Sequence, residues 1–164
     1  MNDSQIEHRE DQHYVAIRAQ VSREEMVAAL PVFWPEVFGW LAEQGETPVG
    51  APFIRYLRIA AEQDRYDIEV GIPVGKALAG EGRIGAGVFP AGRYATAIHT
   101  GPYDGLVAAC QEVHAWVNDN DLEVDESETA EGIERNVQVE SYLSDPGAEP
   151  DPTKWQTQIA YLLV

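Results

Sequence analysis

The chain runs through one order of elements twice, and that repetition restricts its fold more than any single motif. The first pass opens on Tyr14–Gln20 (YVAIRAQ), a short β-like run. Ser22 and Glu25 follow as S-x-x-E, a capping box whose hydroxyl and carboxylate satisfy free N–H groups at a helix start. Met26, Leu30, Phe33 or Trp34, Val37 and Leu41 recur behind it at helical spacing. Pro31 and Pro35 interrupt this pattern. A proline lacks the N–H and crowds the preceding turn, so Pro31 is expected to divide a short first helix from a second one capped near Gly45. Phe53–Ile59 and Arg65–Val74 then read as strands, the latter with Tyr66, Ile68, Val70 and Ile72 alternating with Asp67, Glu69 and Gly71.

The second pass keeps the order. Gly85–Phe89 and Arg93–Thr100 read as strands joined in a hairpin by Pro90-Ala-Gly92. A helix carries Leu106, Cys110, Val113 and Val117 on one face with Trp116 beside it, and Val137–Leu143 and Thr157–Val164 close the chain. Phe38–Leu41 answers His114–Val117, Tyr56-Leu57 answers Tyr142-Leu143, and Glu69-Val70 answers Gln158-Ile159. Residues 1–12 read as a flexible polar head and 13–164 as one domain, with repeats 13–75 and 84–164 joined by the glycine-rich Gly75–Arg83. Asn118–Arg135, with eight acids and one arginine, reads as a solvated, mobile-looking loop, with a ragged strand within it as the alternative, and matches no calcium-loop spacing. Strand–helix–strand–strand used twice predicts an α+β fold, with antiparallel sheet, helices on one side and a cleft where the halves meet.

Composition narrows the partners. Among 164 residues, 28 acids against 11 Lys and Arg give a net charge of −17, which repels nucleic acid and anionic lipid. The first dozen residues hold no apolar run behind a basic start, and nowhere is there a long uncharged apolar stretch; neither a secretory leader nor a membrane span is expected. Cys110, alone, has no internal disulfide partner, which fits a cytoplasmic protein.

The familiar chemical motifs are missing. No phosphate loop, dinucleotide glycine run or G-x-S-x-G elbow occurs, and the four histidines show no ligand pairing, so neither metal nor cofactor is expected. What remains is a set of aromatics and carboxylates on strands. Period-two geometry puts Glu140 with Tyr142, Tyr56 with Ile54, and Glu69 with Asp67. If the Val/Ile faces meet the helices, Glu140, Tyr142, Gln158, Glu69 and Tyr56 face the groove, and a carboxylate among rings is a good receptor for a cation. The alternative is that Glu69 and Glu140 are ordinary residues on a wet sheet face.

Phe89–Val117 (FPAGRYATAIHTGPYDGLVAACQEVHAWV) is similar to the central signature of GyrI-like small-molecule-binding domains, which also serve as effector-binding modules in AraC-type and BmrR-type multidrug regulators. Val139–Leu163 resembles the family's closing segment, and Arg65–Val74 its first-repeat counterpart. The resemblance implies a central groove for aromatic, often cationic compounds, with Glu140 as the signature glutamate, Tyr142 beside it, Trp155 in the closing motif and Tyr103 in the H-x-G-P-Y turn. Trp34, Trp116 and His99 complete the candidate ligand-binding set. Gln158 replaces the family's usual glutamate, which removes one groove carboxylate.

Three readings follow. The first is a module that senses or sequesters amphipathic small molecules. The second is a hydrolase opening strained cyclopropane rings of DNA-alkylating compounds, an activity the resemblance implies for some members, with Glu140 and Glu69 as the acid–base pair. The third is a protein-binding inhibitor of a DNA-handling enzyme such as gyrase, with the acidic stretch, which can imitate DNA, carrying the contact. With no helix-turn-helix flanking the domain, the chain is not expected to be a complete transcription factor or to bind DNA directly.

Overall fold

Antiparallel pairing of the repeated strands builds one curled sheet. The computed structural model describes residues 3–164. In chain order they form β1 (Gln5–Arg9), β2 (Gln12–Val21), α1 (Arg23–Glu43), β3 (Phe53–Ala60), β4 (Arg65–Pro73), β5 (Ile84–Phe89), β6 (Gly92–Thr100), α2 (Leu106–Asp119), β7 (Glu126–Thr129), β8 (Gly132–Arg135), β9 (Gln138–Tyr142) and β10 (Gln156–Leu162). The sheet runs β1-β6-β10-β9-β3-β4-β2-β5, with the β7–β8 hairpin off this path. That order is its own mirror: β3, β4, β2 and β5 of one half answer β9, β10, β6 and β1 of the other. The halves meet at the β3–β9 seam, where Ile54 faces Glu140.

The strand registers carry the internal symmetry residue by residue. When β2 is matched to β6 so that Tyr14 answers Tyr94, the pairs Arg18↔Glu69 and Ile98↔Gln158 make Glu69 and Gln158 equivalent. The β3–β4 and β9–β10 registers then put Ile54 on Glu140 and Tyr56 on Tyr142.

Local structure departs from the expectations in four places. Helix α1 is continuous through Pro31 and Pro35. Both prolines and Val27, which loses an N–H partner to Pro31, lie on the exposed side, where water can take up the freed carbonyls. Met26, Val37, Trp40 and Leu41 meanwhile hold both ends of the helix on one sheet. Its start is the expected Ser22–Glu25 capping box, and its end is Gly45 at φ 71°. Second, Pro90-Ala-Gly92 makes no hairpin: β5 pairs with β2, while β6 lies between β1 and β10. Residues 5–17 pair with 84–96 in one unbroken register, so the two segments form a single ribbon that changes sheet halves at 10–11 and 90–91. Pro90 has no N–H to continue the ladder there, and the Asp11 carboxylate accepts the Ala91 N–H at 2.7 Å in its place.

Third, the polar head contains β1, which pairs along β6 and is the counterpart of β5. Fourth, the acidic stretch 118–135 carries the last residues of α2 and the β7–β8 hairpin, which is docked on β3 through Arg58↔Glu134 and Ile59↔Ile133. Arg58 of β3 holds it there through ion pairs to Glu131 and Glu134, while Arg135 pairs with Glu126 within the hairpin, and both offset its charge.

Apolar residues cluster on both faces of the sheet. Val15, Ile17, Ile68, Val70, Ile72 and Ile54 lie under α1, and Ala95, Ala97, Ile159, Tyr161 and Leu163 lie under α2. Tyr14, Phe53, Tyr94, Val137, Val139 and Leu162 pack together on the opposite face.

Candidate functional site

Each helix covers the outer strands of its own half, α1 over β2 and β4 and α2 over β6 and β10. The seam strands β3 and β9 are left as the floor between them. The result is a groove of about 1420 Å³ on the helix side of the sheet, larger than the roughly 300–1,000 Å³ typical of small-molecule sites. Its α1 wall is a second helical stripe, Val27, Leu30, Trp34 and Phe38, beside the stripe that faces the core. Val27 and Phe38 are 67% and 41% exposed, apolar surface that the core does not use.

On the floor, Glu140 is only 4% exposed. Tyr142 donates its hydroxyl to Glu140 Oε1 at 3.4 Å. Among the described residues, Glu140 forms no ion pair with a Lys or Arg, although all ten salt bridges are made by other side chains. Burial therefore pushes its carboxyl above the ordinary range, against the smaller pull of the Tyr56 and Tyr142 hydroxyls and the charges of Arg23 and His99. Rings surround it. Trp34 meets Tyr142 edge-on at 5.3 Å, Tyr103 meets Tyr142 at 5.5 Å, and Trp155 lies on Tyr103 at 4.8 Å. The Trp34 indole N–H is buried, with no hydrogen-bond partner among the described residues. Cys110 also borders the groove, with its thiol pushed up to about 12 by burial and by the Glu140 charge, so at neutral pH it is not a nucleophile.

The structure divides the sequence candidates between two faces. Glu140, Tyr142, Tyr56, Tyr103 and Trp34 line the groove, and Trp155 backs Tyr103. Glu69 and Gln158 lie on the opposite face, because the open strip is on the helix side and strand parity turns both away from it. Glu69 accepts the Tyr14 hydroxyl at 2.5 Å and lies 3.8 Å from Arg55, while Gln158 accepts from Arg9 at 3.1 Å. Glu69 therefore does not form an acid–base pair with Glu140. The inference that Val/Ile faces meet the helices also fails on β9, where Val137 and Val139 point to the opposite face and the polar positions face the helix side. Trp116 packs against the core under α2, and the His99 ring bonds the Pro102 carbonyl at 3.0 Å, neither lining the groove.

Sequence reasoning missed Arg23, Phe38, Tyr66, His114, Arg135 and Gln138, which also line it. Two left a usable signal: Phe38, as one apolar residue too many for a single helical stripe, and Gln138, which shares strand parity with Glu140 and Tyr142. Among the described residues, no group of three or more His, Cys, Asp or Glu is placed to hold a metal, and no helix is long and apolar enough to cross a membrane.

This architecture recurs in solved structures. The EcmrR C-terminal domain is 22% identical, with a TM-score of 0.75 over 100% of this chain and 98% of that one. In an EcmrR–DNA complex the match is 23% identical with a TM-score of 0.78, over 99% of this chain but only 57% of that chain. SAV2435 bound to tetraphenylphosphonium is 11% identical, with a TM-score of 0.62 over 99% and 94% of the two chains. No curated protein sequence matches. The sequence profile of the GyrI-like small molecule binding domain matches residues 2–161. A mirrored strand order, a groove between two helices and a profile match over nearly the whole chain agree, and the chain belongs to the GyrI-like small-molecule-binding domain family.

Proposed function

We propose that the groove binds a flat or globular aromatic cation, with Glu140 as its anionic anchor and Trp34, Tyr56, Tyr103 and Tyr142 as its ring contacts. The observation that carries this reading is a buried carboxylate on an aromatic floor with no cationic partner of its own. A desolvated cation over aromatic rings gains about 2 kcal/mol, and Coulombic attraction to the carboxylate adds about 1–4 kcal/mol at 4 Å, according to how far water screens it. The ligand of SAV2435, tetraphenylphosphonium, is of this chemical class.

The cellular role that follows is sensing or sequestering such compounds in the cytoplasm. EcmrR is a DNA-bound protein longer than this chain; here a net charge of −17 favours passing ligand occupancy to a protein partner over touching DNA. Titration with tetraphenylphosphonium and with cationic dyes tests the reading. Binding should quench tryptophan fluorescence and raise the melting temperature, and Glu140→Gln should weaken it about 10-fold or more. Absence of both responses across the panel would refute it.

A further inference from the structure

Beside the anchor, β9 places a second buried polar group that a simple cation leaves unused. Gln138 lies two residues before Glu140 on the same, helix-side face, about 7 Å along the strand. It is 5% exposed and lines the groove. Arg135 Nη1 donates to Gln138 Oε1 at 2.7 Å. An arginine can only donate, so this contact settles which end of the amide is which: the oxygen faces Arg135 and the NH₂ is left for another acceptor. Among the described residues no protein group accepts from that NH₂, and it is not sealed from the groove.

Arg135 is itself held in place. Its Nε donates to Glu126 at 2.8 Å, its guanidinium lies 5.6 Å from the centre of the Tyr161 ring, and His114 Nε2 contacts the same Glu126 carboxylate at 3.0 Å. Both Arg135 and Glu126 come from the β7–β8 hairpin, for which the first repeat has no counterpart. In that repeat, the positions equivalent to Gln138 and Glu140 are Pro52 and Ile54. At these two positions one half of the floor is thus apolar, and the other presents a carboxyl and a donor side by side.

We infer that Gln138 is a donor subsite, positioned by Arg135, and that the preferred ligand is an aromatic cation carrying an acceptor oxygen, such as a carbonyl or ester, about 7 Å from its charge. This rests on the cation reading of the groove. A buried donor that a ligand fails to satisfy counts against that ligand, so compounds lacking the oxygen bind more weakly.

Two monocationic dyes with the same xanthene core provide the probe. Tetramethylrosamine has a bare phenyl ring, and tetramethylrhodamine methyl ester adds an ester to that ring. The unmodified protein should bind the ester about 5- to 10-fold more tightly than the rosamine. Gln138→Leu, which removes the donor, and Gln138→Glu, which replaces it with an acceptor, should each bring this ratio close to one. Arg135→Met, which frees the amide to turn, should reduce it partway. The ratio cancels any general change in the groove, and measurable rosamine binding by each variant reports that it is folded. Binding of both dyes without preference, or a preference that survives both Gln138 substitutions, overturns the subsite while leaving the cation reading intact. If the unmodified protein binds neither dye, the cation reading itself falls and the subsite with it.

Discussion

Glu140 puts the electrostatics of the groove to a test that needs no ligand. A carboxylate whose folded-state pKa lies above its unfolded value is at no disadvantage while protonated, and it costs stability once it must ionise inside the fold. Its contribution is therefore fully retained below the unfolded value and is lost as pH rises through the folded one. Glu140→Gln keeps the shape and removes the titration. The stability difference between variant and parent should be smallest near pH 4 and grow in the variant's favour with rising pH. The slope cannot exceed about 1.4 kcal/mol per pH unit for one proton, and the difference levels off above the folded pKa. For a domain of this size, about 2–4 °C per kcal/mol, the melting temperatures should separate by at most about 3–6 °C per pH unit before the plateau. Scanning calorimetry of both proteins from pH 4 to 9, without ligand, measures this directly. A difference independent of pH, or a variant less stable than the parent at pH 8, would show that Glu140 is already paired or solvated, and the anchor argument would fail.

Two further outcomes follow from packing and burial. Gly71→Ala should destabilise by about 1–3 kcal/mol, because the new Cβ would come within 2.5 Å of the Val15 carbonyl and 2.8 Å of Phe53 in the middle of the sheet; a melting temperature unchanged from the parent would contradict the strand register. Cys110, with its thiol held near 12, should react with a thiol reagent at pH 8 far more slowly in the folded protein than in urea; equal rates would mean that the groove wall opens freely.

Much of the architecture is legible from local chemistry. The Ser22–Glu25 box, the Gly45 cap and the alternation in Arg65–Pro73 each depend on neighbours within a few residues, and each reappears in the structure. The pairing of Glu69-Val70 with Gln158-Ile159 is reproduced by the sheet registers, because repeating the order of elements repeats the pairing. Pro31 misled for a related reason. Its local penalty is real, but packing on either side of it holds the helix together, and the freed carbonyls face water.

Parity along a strand determined which side chains travel together: Glu140 with Tyr142 and Gln138, Glu69 with Asp67 and Gly71. It could not say which face of the sheet would be left open. That was decided by where two helices separated by more than sixty residues came to rest, each covering the outer strands of its own half and leaving β3 and β9 bare. The same placement put Glu69 and Gln158 behind the sheet with Arg55 and Arg9 and left Glu140 alone on the floor. The hairpin that brings Arg135 to Gln138 likewise belongs to the tertiary structure, since its sequence reads only as charge. Period and capping act over a turn or a strand; the grouping of a site depends on contacts between distant segments, which no local pattern encodes.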